Sequence, residues 1–167
     1  LGNIFGGHKL PHALYLVLVN QKAYSGAQDY MGNFFESNYV RSLQVFENGR
    51  PLLAQPMRMR YRYEEDGYSV DMDTSDAKEP FLSMAQALNG IADPFMSAGL
   101  SYRDFIRGCI VYCVQLNSCG GTKVAPGFVD VEMEIEEDIH REAMNLLCFG
   151  EYDKTIKFDS NLNIVPN

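Results

Sequence analysis

Six carboxylates fall within nine positions of the stretch "VDVEMEIEED": Asp130, Glu132, Glu134, Glu136, Glu137 and Asp138. At that density, carboxylates can hold a divalent cation or pass a proton if their oxygens converge. Here the first four alternate with Val129, Val131, Met133 and Ile135, the period of a strand, so same-face neighbours stand about 7 Å apart in a row. Calcium requires six or more oxygens at roughly 2.3–2.6 Å around one centre. The row reads as the wet face of a strand whose other face is buried.

The remaining chemistry-bearing residues are dispersed. Four cysteines occur, Cys109, Cys113, Cys119 and Cys148. Cys109 and Cys113 lie in an extended run, where four residues span about 13 Å, beyond disulfide reach. They form a C-x₃-C pair in a strand and not in a turn, and no second such pair follows to complete a zinc site, so free thiols packed as small hydrophobes are expected. Cys148 with a distant histidine is formally a nucleophile and base, but an apolar strand raises a thiol's pKa and quenches it. His8, His12 and His140 lack a metal-ligand pattern and read as surface residues. None of the nucleophile-elbow, phosphate-loop, dinucleotide or zinc-protease motifs occurs, and neither catalysis, cofactor nor metal is expected.

A second charged row faces the first in type. In "MRMRYRY", Met57, Met59, Tyr61 and Tyr63 point one way along a single strand, and Arg58, Arg60 and Arg62 the other. At a formal net charge of -8 these arginines do not make a nucleic-acid surface, because sequence-independent binding needs many cations along phosphates. The basic row and the row containing Glu132 and Glu134 are expected to meet, across strands of one sheet or between subunits. A third candidate contact is the stretch from Asn20 to Asn38, read as a long loop. It carries Tyr24, Tyr30, Phe34 and Phe35, more large aromatics than a loop leaves in water.

The elements that position these residues are mostly strands. "ALYLVLV" at 13–19 is apolar on both faces, as a covered central strand would be. Asn48-Gly49 supplies the positive φ angles of a tight hairpin after the strand in "YVRSLQVFE". One helix is expected in "KEPFLSMAQALNGI", with Pro80 in its first turn, Phe81, Met84, Ala85 and Leu88 at helical spacing, and Gly90 to stop it. "SYRDFIRG" forms at most a turn or two before a strand whose Ile110, Tyr112, Val114 and Leu116 share a face. The C-terminal part reads as a three-strand meander: the acidic strand, "AMNLLCFGEY", and "TIKFD" after a turn at Asp153-Lys154.

The chain of 167 residues, 46% hydrophobic, is of a size for one domain with one core. No apolar run approaches the roughly 20 residues of a membrane span. Leu1 stands where an initiator Met would, so the chain reads as a fragment or processed product, with residues 1–9 a linker from an upstream region. Many short strands around one helix predict an all-β fold.

The order of segments carries a resemblance. "LPHALYLVLVNQKAYSGAQDYMGNFF", "LQVFENGRPLLAQP", "LSYRDFIRGCIVYCVQL" and "VDVEMEIEEDIHREAMNLLCFGEYDKTIKFDSNLNIV" together resemble the C-terminal half of the capsid proteins of Polinton (Maverick) elements and adintoviruses. The chain departs from that family at "YMGNFF", where an Asn-Pro-Phe-type segment is usual, and at "QLNSCGG", where the turn is usually more acidic. The resemblance implies a double jelly-roll major capsid protein whose second jelly roll is this chain: a jelly-roll β-sandwich, residues 1–167, with one inserted α-helix. It implies copies of itself as partners, in a trimeric pseudo-hexameric capsomer, alongside other capsid proteins in a virion; the spacing of Cys109 and Cys113 and the lack of a secretory signal point to a reducing intracellular compartment. The alternatives from other classes are a jelly-roll binding module for a protein or carbohydrate, including a host-domesticated capsid domain, and a cupin-like metal enzyme. The lack of a His-x-His pair counts against the last.

Overall fold

A computed structural model of the chain describes residues 2, 4–28, 40–63, 70–72, 76–89, 100–108, 110–116, 126–135, 143–152, 157–158 and 164–165. The element order is β1 (Ile4–Lys9), β2 (Ala13–Asn20), α1 (Gln21–Tyr24), β3 (Val40–Glu47), β4 (Arg50–Pro51), β5 (Met57–Arg58), β6 (Tyr61–Tyr63), β7 (Val70–Met72), α2 (Lys78–Asn89), α3 (Tyr102–Gly108), β8 (Tyr112–Gln115), β9 (Pro126–Ile135), β10 (Met144–Glu151), β11 (Lys157–Phe158) and β12 (Ile164–Val165). The fold is all-β and antiparallel. One sheet runs β1-β9-β3-β4, with β5 also pairing β3, and the other runs β10-β2-β8. β6 and β7 pair with each other, as do β11 and β12.

The two larger sheets share one core. Leu43, Val45, Met57, Val129 and Val131 come to it from the first, and Leu14, Leu16, Leu18, Tyr112 and Val114 from the second. Burial of this kind contributes roughly 25 cal/mol per Å² of apolar surface removed from water. A hydrogen bond crosses the core, from the Tyr112 hydroxyl to Met59 Sδ at 3.6 Å. Leu14, Leu16, Val17, Leu18 and Val19 are all buried, so β2 is apolar on both faces because both are covered. β2 is also the middle strand of its sheet.

The Asn48-Gly49 turn forms as its residue types require, with φ of 52° and 76° and Glu47 paired to Arg50. Its tip is fastened to the next strand: Asn48 N donates to the Phe128 carbonyl at 3.0 Å, and Phe128 N donates to Asn48 Oδ1 at 3.1 Å. Gly127 permits this approach, since a Cβ there would stand 2.7 Å from Leu10 Cδ1 and 2.8 Å from Asn48 Oδ1.

α2 and α3 pack together through Phe81, whose ring meets those of Tyr102 and Phe105 edge-on at 5.2 and 5.4 Å. Pro80, Met84 and Ala87 form the buried stripe of α2. α3 is capped by Ser101, whose Oγ accepts from Asp104 N at 3.2 Å.

Four expectations are corrected. Ile4–Lys9 is not a linker: it is β1, paired with β9 from Ile4↔Val129 to Lys9↔Pro126 around an irregularity. The C-terminal meander is absent, because β9 and β10 lie in different sheets and β10 pairs β2 along its whole length, Met144↔Asn20 to Glu151↔Ala13. An alternating strand fits either sheet equally well, and only the partner's register decides between them. "MRMRYRY" is not one strand but two, β5 and β6, in separate sheets: Met59 N still donates to the Arg41 carbonyl in register with β3, but Arg60 N turns to Asp76 Oδ2, which ends the ladder. Finally, the stretch after Asn20 opens with a helical turn, α1, capped by Asn20 Oδ1 accepting from Lys22 N. The single expected helix, α2, is thus joined by α1 and α3.

Candidate interaction surface

The acidic row lies on the outer face of the first sheet. Val129 and Val131 are buried beneath it, and Met133 packs against the core, while Glu132 and Glu134 are exposed and Asp130 is half-buried. Register places Glu134 opposite Ser42, Glu132 opposite Gln44 and Asp130 opposite Phe46. Ser42 Oγ donates to Glu134 Oε2 at 3.2 Å, and Arg41 Nη1 stands 3.8 Å from Glu134 Oε1. Gln44 turns its amide to the backbone, donating to the Leu53 carbonyl at 3.1 Å and accepting from Val45 N at 3.2 Å. Together Ser42, Phe46, Pro51, Pro56, Glu132 and Glu134 border a shallow open depression.

The basic row is divided. Arg58 is paired in register with Ser42, which is itself opposite Glu134, so Arg58 and Glu134 flank β3 on one face, about 10 Å apart at ordinary strand spacing. Arg60 is turned away, its Nε and Nη2 donating to the Asp76 carboxylate at 2.8 and 2.9 Å. Arg62 lies on β6 opposite Asp71, with its side chain outside the described set. Arg41, which the alternating pattern did not single out, reaches the acidic row.

Of the aromatic contact candidates, Tyr24 closes α1 and is 61% exposed. Tyr30, Phe34 and Phe35 lie outside the described residues, as do Cys109, Cys119, His140, Glu136, Glu137 and Asp138.

A polar cluster invisible to local motifs joins the start of β2 to the end of β10. The Tyr15 hydroxyl donates to Glu151 Oε2 at 2.5 Å, His12 Nε2 stands 3.4 Å from Glu151 Oε1, and Cys113 sits opposite Tyr15 in register. His12 is therefore half-buried against a carboxylate and not a plain surface residue. Burial first, then the Glu151 charge, pushes the Cys113 thiol up to about 12. Burial and the bond to Glu151 raise the Tyr15 phenol well above its usual range. Cys148 is also raised by burial, and both described cysteines are free. A thiol that keeps its proton at neutral pH is a poor nucleophile, so the cluster holds two strands together and does not arm Cys113.

Among the described residues, no group of three His, Cys, Asp or Glu is placed to hold a metal ion, and no helix is long and apolar enough to cross a membrane. No family model, curated protein or solved structure matches the chain.

Proposed function

We propose that this chain is a structural capsid module, the C-terminal jelly roll of a double jelly-roll major capsid protein of a Polinton-like or adintovirus-like element. The observation that carries the reading is a pair of nested pairings: β2 with β10 and, inside it in sequence, β3 with β9. Both connections, β2 to β3 and β9 to β10, change sheet. A long antiparallel hairpin rolled over on itself has this signature, and a jelly roll is such a roll. The partners of the module are copies of itself, in trimeric capsomers, and other capsid proteins. Its surroundings are a virion assembled in a reducing compartment, where Cys113 and Cys148 stay as thiols. Catalysis is not part of the reading, since the raised pKa values of Cys113 and Cys148 leave the described thiols protonated at neutral pH.

The second reading, a jelly-roll module that binds a protein or carbohydrate, draws on the depression beside Phe46 and Glu132. Light scattering coupled to size exclusion, followed by negative-stain imaging, separates the two. Trimers or shells that grow with concentration are expected for the capsid module. A monomer at every concentration that binds a glycan or peptide would replace it with the binding module.

A further inference from the structure

Sheets are prone to add strands at open edges, and proteins blunt such edges with short strands, prolines, charges, bulges or a covering element. Three of the four edges of the two large sheets follow this rule. β4 is two residues long and contains Pro51, and its neighbour β5 is equally short and carries Arg58. β1 ends in Lys9, is irregular against β9 and holds Phe5 at a φ of 62°. The outer edge of β8 lies against α2, where Ser83 Oγ donates to the Cys113 carbonyl.

Among the described residues, β10 has none of these devices along its outer edge, and Phe5 and Pro11 pack on the core side of Gly150 at its end. It is eight residues long, "MNLLCFGE", with no proline, no lysine or arginine, and no bulge against β2. Its one charge, Glu151, is its last residue. Gln21 N donates to the Ala143 carbonyl, which fixes the parity of the ladder: Asn145, Leu147 and Phe149 exchange hydrogen bonds with β2. The amides and carbonyls of Met144, Leu146, Cys148 and Gly150 therefore point away from β2, and among the described residues no strand lies on that side. Phe149 is 56% exposed and Leu147 half-exposed on the face turned from the core.

We propose that the free edge of β10 pairs antiparallel with β10 of a second copy across a two-fold axis, joining two three-stranded sheets into one of six. Two observations select a second copy as the occupant. The chain carries a net charge of -8, so copies repel one another overall, but this edge is neutral until Glu151. The edge is also self-complementary. With the axis through Leu147, Leu146 faces Cys148 of the other copy and Met144 faces Gly150, so every outward amide and carbonyl of these four residues gains a mate. Glu151 then lies opposite Ala143 and far from its own counterpart. Core-facing Leu146 and Cys148 continue the apolar layer across the junction, and Leu147 meets its copy as a non-hydrogen-bonded pair with Cα atoms about 4.5 Å apart.

The inference rests on the edge and not on the capsid reading. Leu147→Cys places thiols within disulfide range across the axis. Asn145→Cys would leave its thiols about 14 Å apart along the strands at the ordinary rise. Under mild oxidation of the full chain, Leu147→Cys is expected to give a covalent dimer, while Asn145→Cys and the unsubstituted protein, with its own Cys148, do not. Leu147→Lys sets two like charges face to face and is expected to abolish the dimer in light scattering while the circular dichroism spectrum is kept. The Leu146 and Cys148 amides should exchange faster with solvent on dilution. Equal cross-linking at 145 and 147 would overturn the proposal. So would amides protected at every dilution in a monomer, which would assign the edge to the chain's own remainder. Shells or trimers without the Leu147 cross-link would remove this inference and leave the capsid proposal standing, whereas a cross-linked dimer with no larger assembly would do the reverse.

Discussion

Glu151 accepts from Tyr15 and stands beside His12, and its charge adds to the burial that holds the Cys113 proton in place. The sign of the resulting pH dependence follows directly. Cys113 and Tyr15 have raised pKa values in the fold, and both are neutral when protonated, so on alkalinisation the unfolded chain releases these protons first. Their contribution is fully present below the ordinary thiol value of about 8.5 and declines as the pH rises towards 12. The denaturant midpoint should therefore hold steady between about pH 7 and 8 and fall steadily above about 9. Cys113→Ser, which keeps the volume but sheds the thiol ionisation, should flatten part of that fall, and an unchanged slope would detach Cys113 from it. Gly127 offers a second test at this scale. An added methyl must displace Leu10 or break the Asn48 clasp, so Gly127→Ala should cost about 1–3 kcal/mol, read from the same midpoint. A neutral outcome would mean that Leu10 gives way freely.

Between the elements, the bend separating β5 from β6 hangs on one carboxylate. Asp76 accepts from Arg60 N at 3.0 Å as well as from the guanidinium, and its side chain is 17% exposed against 73% for Arg60. Arg60→Ala removes only the exposed partner, worth up to about 1 kcal/mol. Asp76→Ala also takes the acceptor from a backbone amide, which raises the expected cost to about 1–3 kcal/mol. Equal losses in thermal melts of the two variants would mean that the backbone contact contributes nothing. The same bend marks how far the sequence was readable. Periodicity located β2, β3, β9, β10 and α2, and Asn48-Gly49 announced its turn, because each of these is decided by residues near in sequence. Alternation along "MRMRYRY" placed Met57 and Met59 inward correctly but carried no sign of Asp76, which interrupts the strand from 16 residues away. The sheet membership of β10 was unreadable for the same reason. Its partner β2 lies at the other end of the chain, and the inward Leu146 and Cys148 would suit a hairpin with β9 equally well. The Tyr15–Glu151 contact, between residues 136 apart, has no local signature at all.

At the scale of the molecule, nested pairings that join both ends of the chain leave the outer face of β9 as the chief charged surface of the first sheet, with acids along one strand and Arg41 and Arg58 beside them. Arg60 is engaged by Asp76, and Arg58 lies on the acidic face. For a module that assembles with copies of itself, such a face governs register more than affinity, since exposed pairs contribute about 1 kcal/mol or less each. At physiological ionic strength the screening length is about 8 Å, so the net charge of two approaching copies fades with distance and local rows decide how they settle. Glu132→Lys with Glu134→Lys should then slow assembly, followed by time-resolved light scattering, while leaving the melting temperature within a few degrees. Adding Arg58→Glu to that variant restores opposite signs across the row and should recover part of the rate. Both effects should shrink as salt is raised, because the Debye length falls to about 3 Å at 1 M. Assembly rates indifferent to the reversals and to salt would reduce the acidic row to the solvated side of β9.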